Sequence, residues 1–288
     1  MTRWLITGAG GQLGRDLVRQ LGGQEVVALS RADLDLREES AVRGVVDDWL
    51  AAGGDDAVVV NAAAYTAVDA AETDEPAAAV MNAAAPGWLA ETVRGRGRLL
   101  HVSTDYVFPG DSTTPYEPDD PTGPRTAYGR TKLAGERAVL IADPDSYVVR
   151  TAWVYAAHGR NFLTTMLRLE REQPTVAVVT DQLGSPTWAG HLAAGLIELA
   201  GSEARPGRYH CTGAGQATWH ELARTIFAAA GADPDRVLAA TSSEVVRPAP
   251  RPAFSVLSNA SWIAAGLTPL PAWSVGVHEA LASSVDPT

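Results

Sequence analysis

Apolar residues in the first half of the chain fall in short runs separated by longer amphipathic stretches. Trp4–Thr7, Glu25–Leu29, Ala57–Asn61, Leu99–Ser103 and Tyr147–Arg150 read as strands. The unbroken run Val58-Val59-Val60 suits a strand covered on both faces, as in a parallel sheet. Between these runs, Gln12–Leu21, Arg37–Ala52 and Ala77–Arg94 carry apolar residues at helical spacing. Such alternation predicts right-handed βαβ units and an α/β fold with a doubly wound parallel sheet of the Rossmann type.

The second half is less regular. A helix is expected over Asn161–Glu172, ending before Pro174, then a strand over Thr175–Thr180. Another helix is expected from Pro186 to about Leu199. Thr218 and Glu221 have capping-box spacing ahead of Leu222–Ala230, with Gly231 as the stop. Residues 243–256 are proline-rich and read as an extended loop. There is no internal repeat.

Composition narrows the classes. The chain has 288 residues, 46% hydrophobic and 20% charged, a balance that excludes global disorder. Its net charge of −11 argues against a nucleic-acid binder, although amides and arginines can still hold an anion locally. One cysteine, Cys211, excludes an intrachain disulfide and any multi-cysteine metal site; it reads as a small buried residue. The first apolar run passes straight into glycines, which suits a strand and not a signal peptide. With no apolar run approaching about 18 residues, no membrane span is expected, and the cytoplasm is the expected location.

Gly8, Gly11 and Gly14 are spaced G-x-x-G-x-x-G between the first strand and the first helix. Absent side chains allow a tight turn, close approach of a pyrophosphate to backbone N–H groups, and tight helix–strand packing. The following helix N-terminus favours negative charge. The context is that of a dinucleotide site. It divides the chain into a dinucleotide domain, 1–155, its sheet completed by segments near 175–215, and a mainly substrate-binding lobe, 156–288. After the second strand comes Ser30-Arg31, with no carboxylate for the ribose diol and a guanidinium for a 2′-phosphate. This predicts NADPH, with NADH as a lesser alternative. Asp33 and Asp35 complicate the reading, Asp35 being also placed to N-cap the next helix.

Ser103 and Thr104 end the fourth strand, and Asn61 ends the third. Tyr128 and Lys132 form Y-x-x-x-K on one helical face. In a doubly wound sheet these strand ends open onto one crevice. Hydride addition to a ketone leaves charge on oxygen that needs a proton, which a tyrosine beside a cation can supply. Thr104 would hold the carbonyl oxygen. An exposed helical Tyr–Lys pair is the alternative for Tyr128 and Lys132 taken alone.

Taken together, GAGGQLG (8–14), VVNAAAYTAVDAAE (59–72), STDYVFPG (103–110), YGRTKLAGE (128–136), RTAWVY (150–155), NFLTTMLRL (161–169), DQLGSPTWA (181–189) and RPAFSVL (251–257) resemble the extended short-chain dehydrogenase/reductases. Within them the chain is similar to the dTDP-4-dehydrorhamnose reductase family. The resemblance covers most of the chain. It implies NADPH-dependent reduction of the 4-keto group of dTDP-4-dehydro-6-deoxy-L-mannose, with Thr104, Tyr128 and Lys132 as the catalytic trio. By matching position, Gly11, Gln12, Leu13, Asp35, Leu36, Ala63, Ala64 and Tyr65 fall where the family contacts the dinucleotide. Val68, Asp105, Tyr106 and Trp153 fall on the sugar side. Aromatic rings suit the methyl edge of a 6-deoxy sugar, and Tyr106 and Trp153 suit a core equally well. Arg251 pairs with the nucleotide diphosphate or anchors the proline-rich loop.

Some members of the family are described as bridging subunits through magnesium on acidic residues. Here those places read Gly14-Arg15-Asp16 and Ala189-Gly190-His191, so no metal site is expected, and a monomer or a dimer without a metal bridge is. Dehydratases of the superfamily carry Asp-Glu after the Thr; here Thr104-Asp105-Tyr106 lacks the second acid. Two alternatives stay open: a 4-ketoreductase for another dTDP-deoxysugar, and a non-catalytic NADP-binding regulatory subunit. No G-x-S-x-G surrounds a serine, and His220-Glu221 lacks the second histidine of H-E-x-x-H.

Overall fold

Val58, Val59 and Val60 are fully buried, as a strand covered on both faces requires. The computed structural model describes residues 2–53 and 56–283. Its main sheet comprises β1 (Arg3–Thr7), β2 (Glu25–Leu29), β3 (Ala57–Asn61), β4 (Arg98–Thr104), β5 (Tyr147–Thr151) and β6 (Gly207–His210). All six run parallel in the order β6-β5-β4-β3-β1-β2. The chain steps from β1 to β2 on one side and back to β3 on the other. That reversal opens a crevice at the C-terminal ends of β1 and β3, the position where such sheets bind ligands. The fold is the doubly wound, Rossmann-type sheet read from the sequence.

Alternating side chains send the strands into two cores. Trp4, Ile6, Val58, Val60, Leu100 and Val149 pack beneath α1 (Gln12–Gln20) and a later helix, Ala189–Gly201. Leu5, Val59, Leu99 and Val148 pack beneath α2 (Glu39–Ala51), α3 (Ala85–Val93) and α4 (Ala127–Ala142). Each such fully buried Leu, Ile or Val contributes about 1.5–3 kcal/mol. A third core gathers Tyr155 of the short strand Val154–Tyr155 with Leu163, Met166, Leu222, Ile226, Phe227 and Val277 from α5 (Phe162–Glu172) and the later helices Trp219–Ala229 and Trp273–Ser283.

Several elements depart from the sequence reading. Helix α2 begins at Glu39, because Asp35 accepts the Arg37 N–H (3.0 Å) and binds its guanidinium within a preceding turn. Asp35 therefore does not cap α2. The helix expected over Ala77–Arg94 is broken into Glu75–Ala79, a π-turn Val80–Ala84, and α3. The π-turn aims Asn82 at the Tyr65 N–H (2.8 Å) and the Thr131 hydroxyl (3.1 Å). The helix expected from Pro186 starts at Ala189, since Thr187-Trp188 pairs with Val154-Tyr155. Val176–Val179 pairs with Val237–Ala240 in a separate two-stranded sheet, and only Gly207–His210 joins the main one. The Thr218–Glu221 capping box is formed, and Gly231 (φ 80°) follows the helix it opens. Among the described residues no helix is long and apolar enough to cross a membrane.

Candidate active site

The glycines divide between two tasks. A Cβ on Gly8 (φ 74°) would lie 2.7 Å from Ala63 N, and one on Gly14 would lie 2.2 Å from Gly8 O. These two therefore let β1, β3 and α1 close on one another. At Gly11, the N-cap of α1, no side chain caps the helix, and its first bond runs from Arg15 N–H to Gly11 O. The amides of Gln12, Leu13 and Gly14 thus have no intrahelical acceptor. Gln12 Oε1 is buried and has no partner among the described residues. The unused N–H donors at this helix N-terminus fit a bound pyrophosphate.

Ser30 lies beside the turn, its Cβ 3.9 Å from where a Cβ on Gly10 would stand. Its N–H and hydroxyl both donate to Asp33 Oδ2 (2.9 and 2.6 Å). Asp33 is thereby occupied and held below the usual carboxylate range by those bonds. Asp35 is likewise occupied by Arg37. Arg31 is exposed and has no hydrogen bond among the described residues. Leu36 is buried in the core beneath α2, and Leu13 in the core beneath α1. Ala63, Ala64 and Tyr65 follow β3 and remain partly open.

Thr104 ends β4 with its hydroxyl donating to Asp105 Oδ1 (2.9 Å) and accepting the Tyr106 N–H (3.2 Å). Thr126 caps α4 by accepting the Gly129 N–H (3.0 Å), which fixes Tyr128 in the first turn. Burial pushes the Tyr128 phenol up to about 12, with the Thr104 hydroxyl opposing and Asp105 reinforcing the shift. Tyr128 is thus a neutral O–H donor at neutral pH. Tyr106 meets it edge-on at 5.5 Å. Burial lowers Lys132 to about 8, and Glu136 works against that shift. Lys132 Nζ donates to Val102 O (2.7 Å) and lies 3.4 Å from His101 Nε2. No direct hydrogen bond joins it to Tyr128 among the described residues. Burial raises Asp105 to about 6, with the Ser255 and Thr104 hydroxyls opposing the shift.

Trp153 is the one described non-glycine residue with positive φ (47°). Its ring lies flat on Trp219, centroids 3.6 Å apart, and a Cβ on Gly184 would come within 2.4 Å of it. Strain of this kind persists only where packing over-determines it. Val68 opens a helical turn, Val68–Ala71, whose Asp69 takes the Arg251 guanidinium (2.8 Å). Asp16, buried on α1, pairs with Arg19 (2.6 Å) and lies 3.5 Å from His158; His191 pairs with Glu279 (2.5 Å).

Residues 2–285 match the RmlD substrate binding domain family. The chain belongs to that family. A Streptomyces antibioticus relative named probable dTDP-4,6-dihydroxy-2-methyloxan-3-one 4-ketoreductase is 51% identical, spanning 96% of this chain and 94% of its own. A dTDP-4-dehydrorhamnose reductase of Streptomyces griseus is 50% identical, spanning 96% of this chain and 92% of its own. The crystal structure of dTDP-4-dehydrorhamnose reductase from Bacillus anthracis in complex with NADP is similar with a TM-score of 0.92 and 32% identity, covering 98% of this chain and all of that one.

In this RmlD-family chain the tertiary structure adds Glu136, Arg150 and His101 around Ser103 and Lys132. Ser103 donates to Glu136 Oε1 (2.6 Å), and Arg150 binds both Glu136 oxygens (2.8 and 2.7 Å) with all three buried. Glu136 stands one turn beyond Lys132 on α4, so the spacing Y-x-x-x-K-x-x-x-E was the available signal. His101 and Ser103 alternate on β4, a polar pair inside an apolar strand. Trp219 carried no signal beyond its hydrophobicity.

Proposed function

We propose that this RmlD-family chain reduces the 4-keto group of dTDP-4-dehydro-β-L-rhamnose to give dTDP-L-rhamnose with NADPH. The observation that carries the reading is the meeting of Thr104 and a neutral Tyr128 at the C-terminal edge of β4, on the side of the sheet's crevice. Relatives about 50% identical over most of their lengths bear matching names.

Gly8, Gly11 and Gly14 shape the cofactor turn; Gln12, Leu13, Ala63, Ala64 and Tyr65 border it; Ser30 and the exposed Arg31 would receive the 2′-phosphate. When bound, NADPH supplies the hydride that adds to C4. Thr104 orients the carbonyl oxygen. The Tyr128 O–H gives its proton to that oxygen as charge develops, so ketone, hydride and proton balance to an alcohol. Lys132 then returns a proton toward the phenolate. Asp105, Tyr106, Val68 and Trp153 would line the sugar side; Arg251 anchors the proline-rich loop through Asp69 and Ala249 O, and its remaining N–H would serve the diphosphate. With Tyr106 where a dehydratase needs a second acid, reduction is the chemistry the site serves.

A second reading keeps the chemistry and changes the sugar: a 4-ketoreductase for another dTDP-deoxysugar, favoured by the Streptomyces antibioticus relative. Incubation with NADPH and dTDP-4-dehydrorhamnose, with the product identified by NMR, separates them. The expected product is dTDP-L-rhamnose. Reduction only of differently substituted 4-keto sugars would install the second reading; NADPH binding without turnover of any would install a regulatory role. We place the protein in the cytoplasm as a monomer or a dimer without a metal bridge; an EDTA-sensitive dimer in size-exclusion would refute the latter.

A further inference from the structure

Three polar side chains interrupt the apolar face of the sheet at one level. The parallel register places Thr7 beside Asn61 and Asn61 beside His101, so they form a row across β1, β3 and β4. None exceeds 1% exposure. The direction of each hydrogen bond in the row follows from one backbone donor. Ala63 N–H can only donate, and it lies 3.2 Å from Asn61 Oδ1. The Thr7 hydroxyl donates to the same oxygen at 2.8 Å. The other end of the amide is therefore NH2, and it donates to His101 Nδ1 at 3.0 Å.

An imidazole that accepts at Nδ1 carries its proton on Nε2 when neutral. Burial, reinforced by Lys132, holds His101 neutral. Its Nε2–H therefore points at Lys132 Nζ, 3.4 Å away. An ammonium group there would face a second donor, whereas an uncharged amine accepts that N–H through its lone pair. The Val102 carbonyl at 2.7 Å accepts from either form.

We infer that His101, locked by Asn61 and Thr7, is a positioning residue for Lys132: its fixed Nε2–H opposes the ammonium, so that the charged Lys132 gives up its proton more readily. This deepens the proposed reduction, since it rests on Lys132 and Tyr128 moving the proton there. Few other charged or titratable groups face the pair. Glu136 lies one turn along Lys132's own helix and is paired by Arg150 from β5. Tyr128 lies one turn earlier, with Asp105 and Tyr106 beside it. From β1 and β3 the neighbours in this row are Thr7 and Asn61, both uncharged.

Lys132 is the only lysine of the chain, so full-length protein grown on 13C-lysine gives one lysine side-chain signal, which can be followed against pH. The parent is expected to titrate near 8. His101→Leu removes the opposing N–H and should raise the midpoint by about one unit, a tenfold gain in proton affinity. His101→Gln, whose amide can accept from Asn61 and turn an N–H toward Lys132, should hold the midpoint near the parent's. The alkaline limb of kcat should move with the midpoint while KM stays put. A Leu midpoint that is unmoved or lowered, or one shared by Leu and Gln, overturns the inference.

If the Leu variant does not fold, the parent still decides. Two-bond 15N–1H correlations, with His101 assigned by its loss in the Gln variant, should show the Nε2–H tautomer, and an Nδ1–H tautomer overturns the inference. These readouts need no turnover. Absence of ketosugar reduction with a shifted Leu midpoint would sink the proposed function and leave the His101–Lys132 relation standing.

Discussion

Asp69 and Arg251 stand 182 positions apart in the chain, yet their side chains meet at 2.8 Å. The second Asp69 oxygen takes the Ala249 N–H (3.2 Å), so one carboxylate ties the proline-rich loop to the turn after β3. Partial burial raises the Asp69 pKa, and the bonds from Arg251 and Ala249 more than reverse that rise. Because the pair is partly exposed, Asp69→Asn should cost no more than about 1 kcal/mol in urea unfolding. Arg251→Ala should raise KM for the dTDP-sugar about tenfold, the scale of one lost charge-assisted bond, with kcat little changed. A fall in kcat at constant KM would remove Arg251 from substrate binding.

Tyr128→Phe keeps the ring and its contact with Tyr106 and deletes only the proton donor. Turnover should fall by roughly 10²–10⁴, while NADPH affinity, read by fluorescence titration, stays within about twofold by the same logic of an untouched turn. Retained turnover would place the proton elsewhere.

Arg31 is exposed, and Asp33 and Asp35 are engaged by Ser30 and Arg37. Arg31→Ala should weaken NADPH by about tenfold, the loss of one charge-assisted contact, and leave NADH nearly unchanged. Equal losses for both cofactors in steady-state kinetics would show that the guanidinium does not read the 2′-phosphate.

Gly14→Ala places a methyl 2.2 Å from the Gly8 carbonyl oxygen, and backbone must move to relieve it. A loss of about 1–3 kcal/mol in urea unfolding is expected, together with weakened NADPH binding. Full stability with full affinity would show that α1 does not depend on that approach.

Asp105 has its pKa raised to about 6 by burial, against an ordinary 3.8. The folded state therefore binds this proton more tightly than the unfolded state. Its contribution to stability is fully present below pH 3.8 and is lost as pH rises through about 6. Asp105→Asn removes that dependence. The variant should gain on the parent between pH 4 and 7 by roughly 1–3 kcal/mol and run parallel to it above. A constant offset across that window would mean Asp105 is ionised throughout in the folded protein.

Much of the framework was legible locally. The valine run in β3, the glycines after β1 and the Thr218–Glu221 cap are features in which a few neighbouring residues state their own geometry, and each stands where the pattern placed it. Asp35 failed as a cap because the carboxylate found a nearer partner in Arg37, a competition that position alone does not reveal. The π-turn at Asn82 was invisible for a different reason. It exists to serve Tyr65 and Thr131, residues 17 and 49 positions away.

The sequence by itself determined a parallel βαβ sheet with a glycine turn and placed Tyr128 and Lys132 on one helical face, because hydrophobic period and helical spacing are properties of neighbours along the chain. Only the tertiary structure decided where the Lys132 amine points. Strand register brings Thr7, Asn61 and His101 into one row, and β4 presents that row to α4, so the amine meets a histidine and a strand carbonyl instead of the tyrosine beside it. The partners of a buried charge are set by which strands lie side by side, and no stretch of contiguous sequence records that.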